Sequence, residues 1–402
     1  MPEPIWPNED LRRHLSAPGP KRILALDGGG VRGILTVGIL QRVEDVLAEQ
    51  TGRPGFRLCD YFDLIAGTST GSIIATLLAL GKRVAEIRTF YEDMAPKVFA
   101  RSQAVGARVP KFDASSLETL LKQNLGELTV GARELKTGLL ICAKRMDTGS
   151  QWAICNDPRA KYYAPPDPKT LPNRDYLLRT MIRASTAAPF YFDPVQITIS
   201  DHPDFPKEVG MFVDGGVGGD NNPSLQAFKT ATLPGYNLNW PVGADNILLL
   251  SIGTGWRKPL IDIDRYRRMW NWEKSKEALA GMIQETAQQN IVTLQALSAP
   301  RKPKYINSEI GAMEAMRWVK DPLLTFQRCD ASMEDKDVLE ALGLQGNKAR
   351  GVKRITNGML QMDNASKNNM RYLYALGVAA GMPDKDGRTG IDDSDFPAAF
   401  RI

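Results

Sequence analysis

Two short apolar segments near the start of the chain each lead into a glycine-rich turn and then into a helical pattern. Residues 21–26 are followed by Asp-Gly-Gly-Gly and a helical pattern over 31–49. Residues 61–66 are followed by Gly-Thr-Ser-Thr-Gly and a helical pattern over 70–80. Repetition of strand, turn and helix is typical of a sheet covered by helices on both faces. The sequence therefore predicts an α/β protein, a three-layer α/β/α fold with a mainly parallel central sheet.

Further segments extend this pattern along the chain. The predicted strands are 137–144, 151–156, 211–214 and 246–252, and the longer predicted helices are 273–298 and 366–380. A proline-rich and charged segment at 157–175 indicates a surface loop. The apolar side chains of the helix over 273–298 predict one face packed on a core; they are Leu279, Met282, Ile283, Ile291, Leu294 and Leu297.

No linker or change of composition divides the chain, so we expect one main domain over residues 21–402. Residues 1–20 are rich in proline and charge and indicate a flexible N-terminal arm. Residues 261–402 contain no motif that we can place, and we interpret them as a helical and mixed C-terminal elaboration of the same domain. A chain of this length can bury a substantial core.

Composition narrows the classes of function. The 51 basic and 46 acidic residues leave a net charge of +5, too small to indicate a nucleic acid polymer as partner. Four cysteines form no Cys-x-x-Cys pair and there are two histidines, so we expect no metal site and a reducing cytosol. The N-terminus lacks the apolar core of a signal peptide, and the apolar stretch at 73–80 is far shorter than a membrane span. A cytoplasmic protein with at most peripheral contact to a membrane is predicted.

Ser69 lies at the centre of the second glycine turn, directly after the apolar residues 64–66. A Gly-x-Ser-x-Gly turn between a strand and a helix is typical of a nucleophile elbow, which lifts the serine hydroxyl clear of the sheet. A chain with 35 glycines can contain this pattern by chance, so other motifs must support it.

The first glycine turn, Asp-Gly-Gly-Gly-Val-Arg-Gly (27–33), predicts a site for a negative charge. Backbone N–H groups in such a turn, backed by a helix N-terminus, form an anion-binding nest. We expect Gly28, Gly29 and Gly30 to form an oxyanion hole, with Arg32 adding a positive charge or fixing the loop by an ion pair. The stretch also matches the dinucleotide pattern Gly-x-Gly-x-x-Gly, but the next strand ends without the acidic residue that holds a ribose.

A third motif, Asp-Gly-Gly (214–216), follows an apolar strand candidate and precedes Asn-Asn-Pro (221–223). A carboxylate at a strand end can accept a serine proton, although Asp-Gly pairs more often serve only a turn. Hydrolases with a Ser-Asp-His triad place the histidine after the acid, whereas His14 and His202 both precede Asp214. The sequence therefore favours a Ser–Asp dyad over a triad.

In this order, the three motifs resemble those of the patatin-like phospholipase family. Supporting stretches are Ala-Ser-Thr-Ala-Ala-Pro (184–189), Asn-Asn-Pro (221–223) and Gly-Thr-Gly (253–255), so the resemblance covers about residues 20–260. It implies a patatin-like modified α/β-hydrolase fold that cleaves acyl esters of membrane lipids without a cofactor. Carried over by motif, Ser69 is the nucleophile, Asp214 is the base and residues 28–30 are the oxyanion hole.

The resemblance also extends to possible partners. Some stand-alone bacterial relatives are antiphage effectors that a cyclic nucleotide switches on, and this chain is similar to them in size and in lacking a targeting signal. The resemblance thus implies membrane phospholipid as a partner, and it is compatible with a cyclic oligonucleotide activator and with a homo-oligomer.

Two alternatives and one smaller motif stay open. The chain could be a carboxylesterase or thioesterase acting on soluble esters, or a binding module whose glycine loop holds an anion or nucleotide.

Residues 265–272 place arginines beside aromatic residues. We interpret them as a half-buried helix start with solvated arginines, and contact with a lipid surface or an anionic regulator is the alternative.

Overall fold

The computed structural model describes residues 4–100, 111–258 and 261–401. A nine-stranded sheet runs in the order β5-β6-β3-β2-β1-β7-β9-β8, with β4 paired to β3. The strands are β1 (Lys21–Leu26), β2 (Leu64–Thr68), β3 (Gly138–Arg145), β4 (Gln151–Cys155), β5 (Val195–Ser200), β6 (Glu208–Asp214), β7 (Ile247–Ile252), β8 (Ser298–Pro300) and β9 (Leu324–Cys329).

Helices cover the faces of the sheet and recur through the C-terminal third. They are α1 (Glu9–Ser16), α2 (Gly33–Thr51), α3 (Thr70–Ala79), α4 (Val84–Val98), α5 (Ser115–Leu125), α6 (Leu178–Ser185), α7 (Ser224–Thr232), α8 (Ile263–Arg268), α9 (Asn271–Leu297), α10 (Asp335–Ala341), α11 (Gly346–Arg350), α12 (Val352–Leu360) and α13 (Lys367–Gly381).

The centre of the sheet is parallel, which brings the two glycine turns together. β1 pairs in parallel with β2 on one side and with β7 on the other, and Leu26 lies opposite Gly67. The turn after β1 and the turn after β2 therefore leave the sheet side by side at its carboxyl edge. The mainly parallel sheet and its helical layers confirm the predicted α/β/α fold.

The aspartate motif reaches the same edge by a different route. β6 runs antiparallel to β3, with Asp214 opposite Ala143. Thr68, the last residue of β2, lies opposite Cys142 of β3. These two registers place the end of β6 beside the end of β2, although 146 positions of sequence separate Thr68 from Asp214.

Two apolar clusters lie on opposite faces of the sheet. Because successive strand residues point to opposite faces, Leu24 and Leu26 of β1 belong to one cluster, whereas Ile23 and Ala25 belong to the other. β1 is thus buried on both faces, as expected of a strand at the centre of a parallel sheet.

The N-terminal segment is ordered where the structure describes it, so the predicted flexible arm is wrong for residues 4–20. Leu11 and Leu15 lie one turn apart on α1 and are buried in the second apolar cluster. The Asn8 side chain caps the helix by accepting a hydrogen bond from the Leu11 N–H at 2.7 Å. Between the leucines, His14 Nδ1 lies 2.8 Å from an Asp63 carboxylate oxygen. Residues 1–3 of the predicted arm are outside the described part.

The sequence missed strands β5, β8 and β9, and it misjudged one helix. β9 is fully buried although it contains Gln327 and Arg328, whose polarity hides its strand character. Only the last third of α9 packs on the core, through Leu294 and its neighbours. Met282, interpreted from the sequence as a filler of the core or its rim, is 67% exposed. The partners of a buried charged residue in β9 and the exposure of α9 to solvent both depend on tertiary contacts. The periodicity of a single sequence does not reveal either feature.

Candidate active site

Ser69 occupies a strained turn between β2 and α3. Its backbone angles are φ 53° and ψ −127°, a combination that non-glycine residues rarely adopt and that costs on the order of 1–3 kcal/mol. The turn is tight because α3 starts against the end of β1, the neighbour of β2: a Cβ on Gly71 would lie 2.3 Å from the Leu26 carbonyl oxygen. The sharp elbow predicted from Gly-Thr-Ser-Thr-Gly is therefore present in the structure.

Asp214 lies beside Ser69 at the end of β6. Its Oδ1 accepts a hydrogen bond from the Gly216 N–H at 2.8 Å, and the Ser69 side chain lies close enough to the carboxylate to influence its pKa. Burial raises the pKa of Asp214 to about 6, against the lowering effect of the Ser69 side chain and the Gly216 N–H. An aspartate with this pKa is ionised at neutral pH and is a stronger base than a solvated one.

One segment positions both members of this pair. The Ser185 hydroxyl accepts a hydrogen bond from the Ser69 N–H at 2.9 Å and donates one to the Cys142 carbonyl at 2.6 Å. Two residues further along, the Ala187 carbonyl accepts from the Asp214 N–H at 3.0 Å. The stretch Ala-Ser-Thr-Ala-Ala-Pro, which the sequence offered only as supporting similarity, thus holds the backbones of Ser69 and Asp214 relative to each other.

The glycine loop lies against Ser69, but its N–H groups are not equivalent. A Cβ on Gly28 would lie 3.0 Å from the Ser69 Cβ, which shows how close the loop passes. The Gly28 N–H donates to the Asn221 carbonyl at 3.0 Å, so it is not free to bind an oxyanion. The N–H groups of Gly29 and Gly30 donate to no acceptor within the described residues. Of the three glycines predicted to form an oxyanion hole, only Gly29 and Gly30 therefore have an N–H group available for that role.

The end of the loop is fixed by a residue from the C-terminal third. The Val31 N–H donates to the Met362 carbonyl at 2.7 Å. Gly30 has φ +60°, and a Cβ there would lie 2.2 Å from the same carbonyl oxygen. Because two of the loop's N–H groups are already bonded to backbone carbonyls, the loop is a poor phosphate cradle, which argues against the dinucleotide interpretation.

Arg32 does not fix the loop by an ion pair, contrary to one of the two roles that the sequence suggested. Its Nε is 3.5 Å from the Gly29 carbonyl, and no carboxylate within the described part of the chain lies within ion-pair distance of it. The loop is held instead by the Tyr91 hydroxyl, which donates to the Gly30 carbonyl. Burial lowers the pKa of Arg32, which nevertheless stays cationic. The other predicted role of Arg32, a positive charge beside an oxyanion hole, stays a prediction.

A buried ion-pair network anchors the start of the loop. Asp27 receives two hydrogen bonds from Arg328 of β9, at 2.9 and 2.6 Å. Arg328 also donates to Asp330 at 2.8 Å and to the Ser251 hydroxyl at 2.8 Å. Burial raises the pKa of Asp27 to about 6 although Arg328 opposes the shift, and the two carboxylates raise the pKa of Arg328. No sequence pattern pointed to Arg328.

Other candidates lie away from this site. His202 is on a surface loop, where its Nδ1 accepts a hydrogen bond from the Asp204 N–H at 3.3 Å. Across the residues that the structure describes, no group of three or more histidine, cysteine, aspartate or glutamate side chains is arranged to hold a metal ion. All four cysteines are buried and free.

This α/β protein has the layout of a serine hydrolase. Ser69 occupies a strained strand–helix turn, the buried Asp214 lies next to it, and the N–H groups of Gly29 and Gly30 are free beside it. The chain matches the patatin-like phospholipase family over residues 24–228. This protein belongs to that family, as its motifs indicated.

Several individual proteins are similar to this chain. The chain is 32% identical over 230 residues to a cGAMP-activated phospholipase of Vibrio cholerae serotype O1, covering 54% of this chain and 59% of that protein. It is 30% identical over 246 residues to patatin-17 of Solanum cardiophyllum, covering 58% and 60% of the two chains. Human GIVD cytosolic phospholipase A2 superposes with a TM-score of 0.43 and 13% identity, over 98% of this chain and 62% of that one. The chain therefore spans about three fifths of the length of the curated relatives it matches.

Proposed function

We propose that this protein is a lipid acyl hydrolase that cleaves fatty-acyl esters of membrane phospholipids, with Ser69 as nucleophile and Asp214 as general base. The observation that carries the proposal is the position of the strained Ser69 next to a buried carboxylate whose pKa is raised to about 6. Family membership supports the substrate class.

The chemistry follows from these positions. Ser69 Oγ attacks the ester carbonyl carbon while its proton passes to Asp214. The N–H groups of Gly29 and Gly30 stabilise the oxyanion, a contribution of about 3–4 kcal/mol for each well-placed donor. The ester C–O bond then breaks, and Asp214 returns the proton to the leaving lysophospholipid. Water attacks the acyl-serine with Asp214 again as base, which releases the fatty acid and restores Ser69.

The test is fatty-acid release from phospholipid vesicles by the native chain, Ser69→Ala and Asp214→Asn. Both variants should lose nearly all activity, whereas Ser308→Ala and Asp204→Asn, which change exposed residues of the same types, should keep it. Hydrolysis that survives Ser69→Ala would refute the mechanism. A rate on dispersed short-chain esters above the rate on vesicles would favour the soluble-ester alternative.

We also propose that the protein reaches its substrate by peripheral contact through α8 and the start of α9. Trp270 and Trp272 are 74% and 63% exposed, beside the exposed Ile263 and the arginines of α8. The interpretation of this segment as a half-buried helix start is therefore wrong. Exposed aromatic residues next to cations are typical of surfaces that bind the lipid headgroup region. No described helix is both long enough and apolar enough to cross a bilayer.

Helix α9 leads from this exposed surface to the candidate active site. The Asn290 side chain of α9 donates to the carbonyls of Gly219 and Asn222, in the loop that follows Asp214. We expect Trp270→Ala/Trp272→Ala to weaken vesicle binding while hydrolysis of dispersed esters is kept. Trp318→Ala is the matched control, because Trp318 is 67% exposed and bonds to Ala296 near the other end of α9. Equal vesicle binding by all three proteins would contradict the proposed surface.

A third part of the proposal concerns regulation. The similarity to a cGAMP-activated phospholipase supports a cyclic oligonucleotide as activator, in the manner of an antiphage effector. The expected result is that vesicle hydrolysis by the native chain rises when a cyclic dinucleotide or trinucleotide is added. Hydrolysis that is equal with and without each of these nucleotides would contradict this part alone.

A further inference from the structure

The C-terminal third contains a basic groove that none of the motifs explains. It has a volume of about 610 Å³ and is lined by α12 and its flanking residues, principally Arg350, Lys353, Arg354, Asn357, Gln361 and Asn364. Grooves of this size accommodate ligands the size of a nucleotide. None of the lining residues is acidic.

The cations of the groove are uncompensated. Within the described residues, Arg350, Lys353 and Arg354 have no carboxylate within ion-pair distance, and Arg350 donates only to the side chain of Asn347. The opposite side of α12 is anchored in the protein through buried Thr356 and Met359. One side of α12 therefore holds it in place. Lys353 and Arg354 on its other side, together with Arg350 at the end of α11, present three positive charges to solvent, a surface suited to phosphate.

The remaining lining side chains suit the bases of a nucleotide. Asn357 and Gln361 each carry an amide with both donors and acceptors, whereas the Asn364 amide already donates to the Gly358 carbonyl and accepts from the Ser366 N–H. Asparagine and glutamine pair with adenine edges through two hydrogen bonds, and arginine does so with guanine. A groove that combines arginines and amides can thus bind both the phosphates and the bases of one ligand, whereas inorganic phosphate would leave the amides unused.

The groove is connected directly to the glycine loop over residues 27–33, called the oxyanion loop below because it carries the proposed oxyanion hole. Gln361 and Asn364 flank Met362, whose carbonyl accepts the Val31 N–H at 2.7 Å. The same carbonyl lies against Gly30, where no side chain would fit. A ligand that fixes residues 361–364 therefore also fixes the segment that supplies the free N–H groups of the active site.

We infer that this groove is the binding site of a cyclic oligonucleotide, and that the bound nucleotide orders the oxyanion loop through residues 361–364. The regulatory half of this inference rests on the proposed hydrolase function, whereas the binding half does not. Binding is therefore measured on Ser69→Ala, which keeps the groove and removes the nucleophile.

The experiment titrates Ser69→Ala with cyclic dinucleotides and cyclic trinucleotides by calorimetry. The triple variant Arg350→Gln/Lys353→Gln/Arg354→Gln is built in the same background. We expect binding to weaken on the order of a hundredfold or more in the triple variant, since each charge-assisted hydrogen bond is typically worth about a factor of ten. The control Lys122→Gln/Lys320→Gln/Lys385→Gln removes the same charge from exposed positions outside the groove and should bind normally. Equal thermal unfolding of the two triple variants would show that both are folded.

Each outcome decides one half of the inference. Absence of binding by any of these nucleotides, or equal binding by both triple variants, would overturn the site. If the groove triple variant loses binding to anionic vesicles and no nucleotide binds, the groove is assigned to lipid headgroups. That result would also overturn the proposed nucleotide site. Amide hydrogen exchange tests the connection: exchange of the Val31 N–H should slow when nucleotide binds. Unchanged exchange at Val31 with the nucleotide bound would overturn the coupling and leave the site intact.

Discussion

Replacing Arg328 by methionine should damage both the stability and the activity of this protein, because Asp27 depends on that one side chain. Within the described residues, Arg328 is the sole donor to the Asp27 carboxylate. Asp330 is less dependent, since it also accepts the N–H groups of Gly255 at 2.8 Å and Ala331 at 2.9 Å. The cost of Arg328→Met therefore falls mainly on Asp27.

The size of the effect follows from burial. Removing one partner of a buried ion pair typically costs about 3–5 kcal/mol of unfolding free energy, because the other charge is left without a partner. Arg145 offers a matched comparison: it is as buried as Arg328, but its partners Asp147 and Glu208 are 35% and 53% exposed. Water can solvate those carboxylates, so Arg145→Met should cost about 1 kcal/mol of pair energy at most.

The loss should also depend on pH, with a definite sign. In the native protein the pKa of Asp27 is about 6, above the value of about 3.9 in an unfolded chain. Its ionisation therefore lowers stability as pH rises from about 4 to 6, and changes it no further above that range. Arg328→Met removes the interaction that opposes the pKa rise, so the pKa of Asp27 increases further. The variant keeps losing stability above pH 6, by up to about 1.4 kcal/mol per pH unit.

Urea unfolding at several pH values between about 5 and 8 measures these differences. The double variant Arg328→Met/Asp27→Asn should recover part of the stability, since the unpaired charge is gone. Activity should fall on the order of a hundredfold in kcat, because Asp27 is the first residue of the oxyanion loop and small displacements there are costly. An Arg328→Met protein within about 1 kcal/mol of native stability at pH 8, with native kcat, would refute the reasoning.

Three further changes test the site itself. Ser69→Gly and Ser69→Ala should both be inactive, and the glycine variant should be more stable than the alanine variant by about 1–3 kcal/mol because it relieves the positive φ; equal urea midpoints would argue against strain. Asp214 must be ionised to act as base, so kcat/KM on a soluble ester should rise with pH through about 6 and then level off, and a profile without this rise would contradict the assignment. Gly30→Ala should lower the free energy of unfolding by at least about 2 kcal/mol more than Gly52→Ala. Both glycines have φ near +60°, but a Cβ on Gly30 would clash with Met362, whereas a Cβ on Gly52 would meet open space. Equal losses of stability in urea unfolding would contradict the importance of the contact with Met362.

The fold around the catalytic motifs could be predicted because local signals agreed. β1 was predicted with its observed bounds, and α2 and α3 were placed within about two residues, since apolar runs and glycine turns specify them locally. The elbow at Ser69 follows from the same local chemistry. Registers between strands, which bring Asp214 to the end of β2, are decided by packing across the sheet and had to be observed.

What the sequence could not reveal is which N–H groups are free. Gly28 and Gly29 are alike in sequence, yet Asn221 occupies the N–H of the first and leaves the second available. The sequence did not indicate Arg328, because a buried strand that contains an arginine lacks a recognisable hydrophobic pattern. Its partner Asp27 is also 301 residues away in the chain. The strong base character of Asp214 is likewise a consequence of burial, which a single sequence does not display.

The distance along the chain between Asp27 and Arg328 has a consequence for synthesis. A ribosome adding about 5–20 residues per second needs roughly 15–60 s to cover the intervening 301 residues. Until then the nascent chain contains Ser69, but Asp27 lacks its cation and Val31 lacks the Met362 carbonyl. The loop that faces the serine therefore gains its last contact only after residue 362 has been synthesised. A nascent chain that ends before Arg328 holds Ser69 on its turn but lacks the two C-terminal contacts that fix the glycine loop beside it.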